Sequence, residues 1–234
     1  MRFEALASSS KGNAYIVSDR ETRILIECGI SHKQLQKLTD FSLAEFKACL
    51  VSHEHDDHSH SVAALVKDGI EVFMSQGTAE ALGAEAVTLV ESMEQFNVGT
   101  LDIVPFATFH DAREPLGFLI KSRADGDVLA FATDTVNLRY RFPGLNILAI
   151  EANYDKHILE RCTKMPEKTR HRISNSHMEI DTLCDYLRGL DLRSCREIHL
   201  LHLSDSTSHE GYFINKVTRA VPPWVTVTAC KKAR

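Results

Sequence analysis

The sequence predicts an α/β protein built from layered sheets. Three observations carry that prediction. Short apolar runs of strand length recur along the chain, and segments with helix-start signals occur in both halves. The composition is that of an ordinary globular protein, 44% apolar and 25% charged over 234 residues. A chain of this length buries roughly 70–75% of the surface its unfolded form exposes, so it needs no disulfide staples.

In chain order, residues 2–7, 14–17 and 23–27 read as strands joined by turns at 8–13 and 19–22. A short helix is predicted over 43–47, where Ser42 and Glu45 fit a capping box. Residues 47–51 form a buried strand, and 59–67 a helix ended by Asp68-Gly69. Strands follow at 71–74, 101–109, 116–122, 128–133 and 146–150, with Asp125-Gly126 as a hairpin turn. Two further helices are predicted: 178–187, with Ser176 and Glu179 as capping box, and 208–217, with Thr207 and Glu210. Strands at 197–201 and 224–229 complete the pattern. No repeat, low-complexity tract or linker marks a boundary, so residues 1–234 are expected to form a single domain.

Lys and Arg number 27 against 32 Asp and Glu, a net charge of −5. That balance argues against nonspecific duplex binding and leaves room for a local basic patch. The six cysteines (Cys28, Cys49, Cys162, Cys184, Cys195, Cys230) include no C-x-x-C pair and read as reduced core thiols. Residues 1–17 show no apolar stretch of signal-peptide length, and no run approaches the roughly 18 residues of a membrane helix. A cytoplasmic protein with no membrane partner is expected.

The 12 histidines are the compositional outlier. His53-Glu54-His55-Asp56-Asp57-His58 concentrates imidazoles and carboxylates directly after an apolar strand, and these are the ligands divalent metals take. In an extended stretch His53 and His55 project to one side, so both reach one ion, while Asp57 and His58 face a second where the chain turns into a helix. Three more apolar strands each deliver a candidate ligand at their C-terminal end: His110, Asp134 and His202. Ligand sites of α/β proteins gather at that edge of a sheet. His199, three residues from His202, points to the opposite face and reads as structural. His32, His60, His157, His171 and His209 get the same bland reading.

The H-x-H-x-D-H run followed by His110, Asp134 and His202 resembles the metallo-β-lactamase superfamily, over essentially the whole chain. Residues 8–13, 26–29 and 151–155 resemble a compact bacterial and phage branch related to phosphodiesterases and exonucleases. So does Ser176-His177-Met178 upstream of His202-Leu203-Ser204. Glu27 stands where many relatives have Asp before Cys-Gly. The resemblance implies a four-layer αββα sandwich with a di-metal site at one edge. It implies His53, His55 and His110 on one divalent ion, Asp57, His58 and His202 on the other, and Asp134 between them. Zinc, manganese and iron all suit such a donor set.

By the same resemblance the chain is a hydrolase, with a nucleic acid or nucleotide phosphodiester as substrate. Asp57 would orient the attacking water as well as bind metal, and His177 would be the general acid that protonates the leaving oxygen. The predicted capping box makes His177 the first residue of a helix, where free N–H groups favour an anion. An exposed helix-start histidine is the alternative. Six basic residues between Lys156 and Arg172 either flank the site or form a solvated face. Ser8, Ser9 and Asn13 either line the pocket or form a polar turn.

Only 23 residues separate His110 from Asp134, which leaves no room for the long tRNA-gripping arm of tRNA-processing relatives. The 68 positions from Asp134 to His202 are too few for the inserted domain of mRNA-end nucleases. So compact a chain suits a small substrate or a partner subunit, a homo-oligomer included. Hydrolysis of a thioester, lactone or amide is the rival reading. A non-hydrolytic redox or sensor protein is a third, disfavoured because redox di-iron members have Glu where this chain has His55.

Overall fold

The computed structural model describes residues 1–230; the last four positions of the expected domain lie outside the described residues. Its strands form two mixed sheets, of six and seven strands. The chain divides into two compact units, Met1–Ala107 with Ala112–Val128, and Thr108–Asp111 with Leu129–Cys230.

The first unit contains β1 (Arg2–Ser9), β2 (Gly12–Ser18), β3 (Arg23–Ile26), β4 (Ala48–Leu50), β5 (Glu71–Met74) and β6 (Thr88–Leu89), hydrogen-bonded in that order. β1–β2 and β2–β3 pair antiparallel; β3 to β6 run parallel. The parallel centre of the sheet is buried along its length, which is why β3 and β4 appear in the sequence as unbroken apolar runs rather than alternating ones. The helices are α1 (His32–Leu38), α2 (Asp56–Ser59), α3 (Val62–Lys67) and α4 (Gln76–Leu82), with α3 packed on β5. Three antiparallel strands, β7 (Phe96–Val98), β8 (Leu101–Ala107) and β9 (Leu116–Ser122), complete the unit. Asp19, in the β2–β3 turn, accepts hydrogen bonds of 2.6 Å from Thr100 and from Ser122, tying that turn to β8 and β9.

The second unit carries β10 (Val128–Ala132), β11 (Ile147–Glu151), β12 (Glu197–Leu201) and β13 (Thr226–Ala229), all parallel. Its helices are α5 (Lys156–Arg161), α6 (Glu167–Ser176), α7 (Ile180–Arg188) and α8 (Glu210–Thr218). α7 buries Ile180, Leu183, Cys184, Tyr186 and Leu187, a one-face spacing, and α8 packs on β13 and α7. Among the described residues, no helix is long and apolar enough to cross a membrane.

Several elements depart from the sequence expectation. The helix predicted over 59–67 is two short ones, because the Ser61 N–H turns aside to the Cys28 carbonyl at 2.9 Å. The helix expected over 43–47 shrinks to a three-residue 3₁₀ turn in which Ser42 makes no side-chain cap. Thr207 does not cap α8: its N–H bonds the Ser204 hydroxyl within a turn, and His209 is the cap, accepting from the Tyr212 N–H. The helices α1, α4, α5 and α6 had no counterpart in the sequence reading.

Gly29 shows how closely the loop after β3 approaches α2. A Cβ there would lie 1.7 Å from the Asp57 carbonyl oxygen and 2.5 Å from the His58 nitrogen, and flanking bonds from Cys28 to His58 and from Gly29 to Asn13 lock the contact. G29A should therefore cost at least about 3 kcal/mol and lower the melting temperature by roughly 6 °C or more. Calorimetry checks this, and an unchanged transition would disprove the close packing.

Candidate metal centre

In the first unit, β4 runs through Val51 and Ser52 to His53, and the chain then enters α2 with His55 at its N-cap. The Ser59 hydroxyl donates to the Glu54 and His55 carbonyls, closing this tight turn. His53 Nδ1 lies 2.8 Å from the Ser52 hydroxyl, and His53 Nε2 lies 3.1 Å from His55 Nδ1. The His53 ring centre is 4.7 Å from that of His55 and 4.2 Å from that of His58.

Two buried side chains from neighbouring strands hold this group. Asn13, in β2, approaches the Asp57 carbonyl at 3.0 Å, the Asp57 carboxylate at 3.4 Å and His58 Nε2 at 3.2 Å with its amide nitrogen. Its oxygen accepts from the Ser9 N–H and the Tyr15 hydroxyl. Glu27 is fully buried with a positive φ of 62°. One carboxylate oxygen accepts from the Ser52 N–H at 3.3 Å; the other lies 3.6 Å from His58 Nδ1 and has no hydrogen-bond partner among the described residues.

The second unit builds its cluster at the C-terminal ends of three adjacent parallel strands. β10 delivers Asp134, β11 ends in Glu151 and β12 delivers His202. Asp134 and His202 both take left-handed backbone, with φ of 39° and 52°. Such strain in non-glycine residues is characteristic of sites over-determined by their surroundings. The donor atoms of Asp134, Glu151, His177 and His202 lie within 4.8 Å of one another. His110 joins the group: its Nε2 is 3.5 Å from the Asp134 carboxylate, and its Nδ1 is 2.7 Å from the Ser176 carbonyl. That carbonyl fixes the proton on Nδ1 and leaves the Nε2 lone pair for a ligand. The Asn153 amide nitrogen lies 3.1 Å from His202 Nδ1 and donates to the His202 carbonyl at 2.9 Å; an amide N–H only donates, so His202 Nδ1 is held as an acceptor, the reverse of His110.

His177 is held differently from the sequence expectation. Ser176 is the last residue of α6, its hydroxyl bonded to the Arg172 carbonyl, and His177 is that helix's C-cap. α7 begins only at Ile180, capped by Glu179. The S-x-x-E spacing is present, but the glutamate itself is the cap, so no free helix N-terminus stands at His177. Its partner is Glu151, with a 2.6 Å contact between Nδ1 and the carboxylate. Burial is the largest influence and works to lower the His177 pKa, but the charge and hydrogen bond of Glu151, joined by the charge of Asp134, together hold the imidazole above its usual value. Burial likewise works to raise the Glu151 pKa, yet His177 keeps that carboxyl below its usual value. The ion pair is the favoured state of both.

Glu151, Glu27 and Asn153 were not singled out as site residues by sequence reasoning, and Asn13 stood only as a pocket or turn residue. Glu151 carried the same signal as Asp134, a polar residue ending an apolar strand. The basic run over 156–172 forms α5, the turn and most of α6. There Arg170 donates to the Cys162 and Met165 carbonyls, and Arg172 pairs with Asp111 at 2.6 Å, beside His110.

The donor set fits divalent ions: imidazole nitrogens and carboxylate oxygens, their opposite ring atoms fixed by second partners, in buried clusters. The model of the β-lactamase superfamily domain matches residues 22–200, and the chain belongs to the metallo-β-lactamase superfamily. Within it, the chain is 29% identical over 227 residues to exodeoxyribonuclease WalJ of Streptococcus pneumoniae, covering 87% of this chain and 81% of that protein. It is 25% identical over 225 residues to exodeoxyribonuclease YycJ of Bacillus anthracis, covering 87% and 83%. The metallo-β-lactamase fold protein YhfI from Bacillus subtilis superposes with a TM-score of 0.74 over 99% of this chain and 97% of that one, at 14% identity. The fold is the metallo-β-lactamase fold, and family and donor set together define a metal-dependent hydrolase.

Glu151 holds three donors at once: the Thr135 N–H at 2.9 Å, the Met178 N–H at 3.0 Å and His177. Each buried group left unpaired costs about 1–3 kcal/mol. E151A should destabilise the metal-free protein by roughly 3–5 kcal/mol and E151Q, which keeps an acceptor, by less. Urea unfolding measures both; equal stability of E151A and the parent would refute the role.

Proposed function

We propose that this chain is a di-metal phosphodiesterase acting on DNA or nucleotides, with His177 as the general acid. The observation that carries the reading is the Glu151–His177 pair beside Asp134 and His202. The thiolate of a thioester leaves without a proton, whereas an alkoxide leaving phosphorus takes one, and His177 is a group that can supply it. The exonuclease names of the two bacterial relatives support the same substrate class.

In this reading His53, His55 and His110 would hold one ion, Asp57, His58 and His202 would hold the other, and Asp134 would be available to both. The assignment rests on the family's ligand pattern and on the donor chemistry of the two clusters. Bound divalent ions supply Lewis acidity, which lowers the pKa of the attacking water and offsets charge developing on the phosphate. Asp57, steadied by Asn13, orients that water. His177 holds one proton on Nδ1 against Glu151 and gives the other, from Nε2, to the oxygen that leaves. Glu151 keeps the imidazole in place and favours its cationic form before transfer.

Metal-loaded protein should hydrolyse bis-p-nitrophenyl phosphate and at least one of single-stranded DNA, double-stranded DNA, RNA or a cyclic nucleotide. H177A should lower turnover on the natural phosphodiester about 10²–10⁴-fold, with metal content by atomic emission unchanged. The loss on the p-nitrophenyl ester should be smaller, because that leaving group departs without protonation. Thioester turnover in the absence of phosphodiester turnover would reverse the proposal.

A further inference from the structure

The loop after Asp134 carries a feature that the metal centre does not use. Residues 135–150 contain no acidic side chain, in a protein of net charge −5, and include Arg139 and Arg141. Both arginines are exposed. Among the described residues neither guanidinium meets a carboxylate; each lies instead over an aromatic ring, Arg139 at 5.1 Å from Phe109 and Arg141 at 5.8 Å from Tyr186. Each guanidinium thus rests one face on a ring, while its charge is not neutralised by any carboxylate among the described residues.

Phe109 is the second half of the feature. It immediately precedes His110, and the residue is 43% exposed. The backbone under it is fixed on both sides: its N–H donates to the Thr135 hydroxyl at 3.0 Å and its carbonyl accepts from the Val136 N–H at 3.0 Å. The ring is therefore presented on a rigid support next to a candidate metal ligand. Arg139 and Arg141 also line a cavity of about 460 Å³, together with Asn137, Leu138, Thr182 and Tyr186.

We propose that Phe109, Arg139 and Arg141 form a binding surface for single-stranded DNA: Phe109 stacks on a base, and the two guanidiniums hold successive phosphates of the strand whose scissile bond enters the centre. Aromatic faces interleaved with cations are what sequence-tolerant single-strand binding requires, because every base offers a π-face and every nucleotide a charge. A duplex has its bases covered and gives Phe109 nothing to stack on. The inference rests on the phosphodiesterase reading above and names its substrate.

The test uses metal-loaded protein, a phosphorothioate oligothymidylate for affinity by fluorescence anisotropy, and the natural oligonucleotide for KM and kcat. R139A R141A should weaken binding at least about tenfold, raise KM more than it lowers kcat, and flatten the salt dependence by roughly 0.7 in log–log slope per lost phosphate contact. R139K R141K should keep that slope. F109A and F109L should each lose about fivefold or more in affinity, the leucine keeping the apolar bulk and lacking the ring face. Binding and cleavage by R139A R141A equal to the parent's overturn the surface, and a preference for duplex or for RNA overturns its assignment to single-stranded DNA. Arginine-dependent binding without hydrolysis of any phosphodiester upholds the surface and refutes the phosphodiesterase reading instead.

Discussion

A fully buried carboxylate organises the second unit's cluster. Glu151 ends β11 with no solvent exposure and engages two backbone N–H groups and one imidazole. An isolated carboxylate in such a place would take up a proton, since removal from water disfavours the charged form. The charge and hydrogen bond of His177, with a further contribution from His202, prevent this. The same carboxylate joins Thr135, next to Asp134, and Met178, next to His177, so these two candidate site residues share one anchor. Position and protonation state are thus set by a single group.

The first unit solves the same problem with a neutral side chain and a strained one. Asn13 offers its amide to both Asp57 and His58, while Glu27 faces His58 from the end of β3. Glu27, Asp134 and His202 all adopt left-handed backbone at or just beyond a strand end. An L-residue there is disfavoured by roughly 1–3 kcal/mol. In each case the turn lets the chain leave a straight strand while the side chain stays at the sheet edge, a placement that ordinary β geometry, with its fixed alternation, does not allow at that residue.

Strand ends were the legible part of this molecule. A parallel strand buried on both faces is written as a short apolar run, so the first ionisable residue at its end marks the sheet edge; His53, Asp134 and His202 were found that way, and Glu151 obeys the same rule. The supporting residues were less legible for a physical reason. Asn13 acts across 44 positions of sequence on Asp57, and such contacts have no local signature. The helices over 156–176 were hidden because α6 is polar on nearly every side, burying only Ser176. The capping pattern around His177 was read one turn too early: the motif matches, yet tertiary bonds from Tyr154 and Glu151 to Ile180 and Met178 decide where α7 begins.

The distribution of charge follows from these placements. Glu27, Asp134 and Glu151 are buried and engaged, so part of the acidic excess never confronts an approaching phosphate. In the basic run Arg172 is engaged by Asp111 and Arg170 by carbonyls, so two of its six cations are already committed. Arg139 and Arg141, which meet no carboxylate among the described residues, lie on a loop that follows directly from Asp134. An acidic protein can therefore attract a polyanion at one place without coating itself in cations. Screening over about 8 Å at physiological salt makes the local arrangement, rather than the net charge, the quantity that a bound strand experiences.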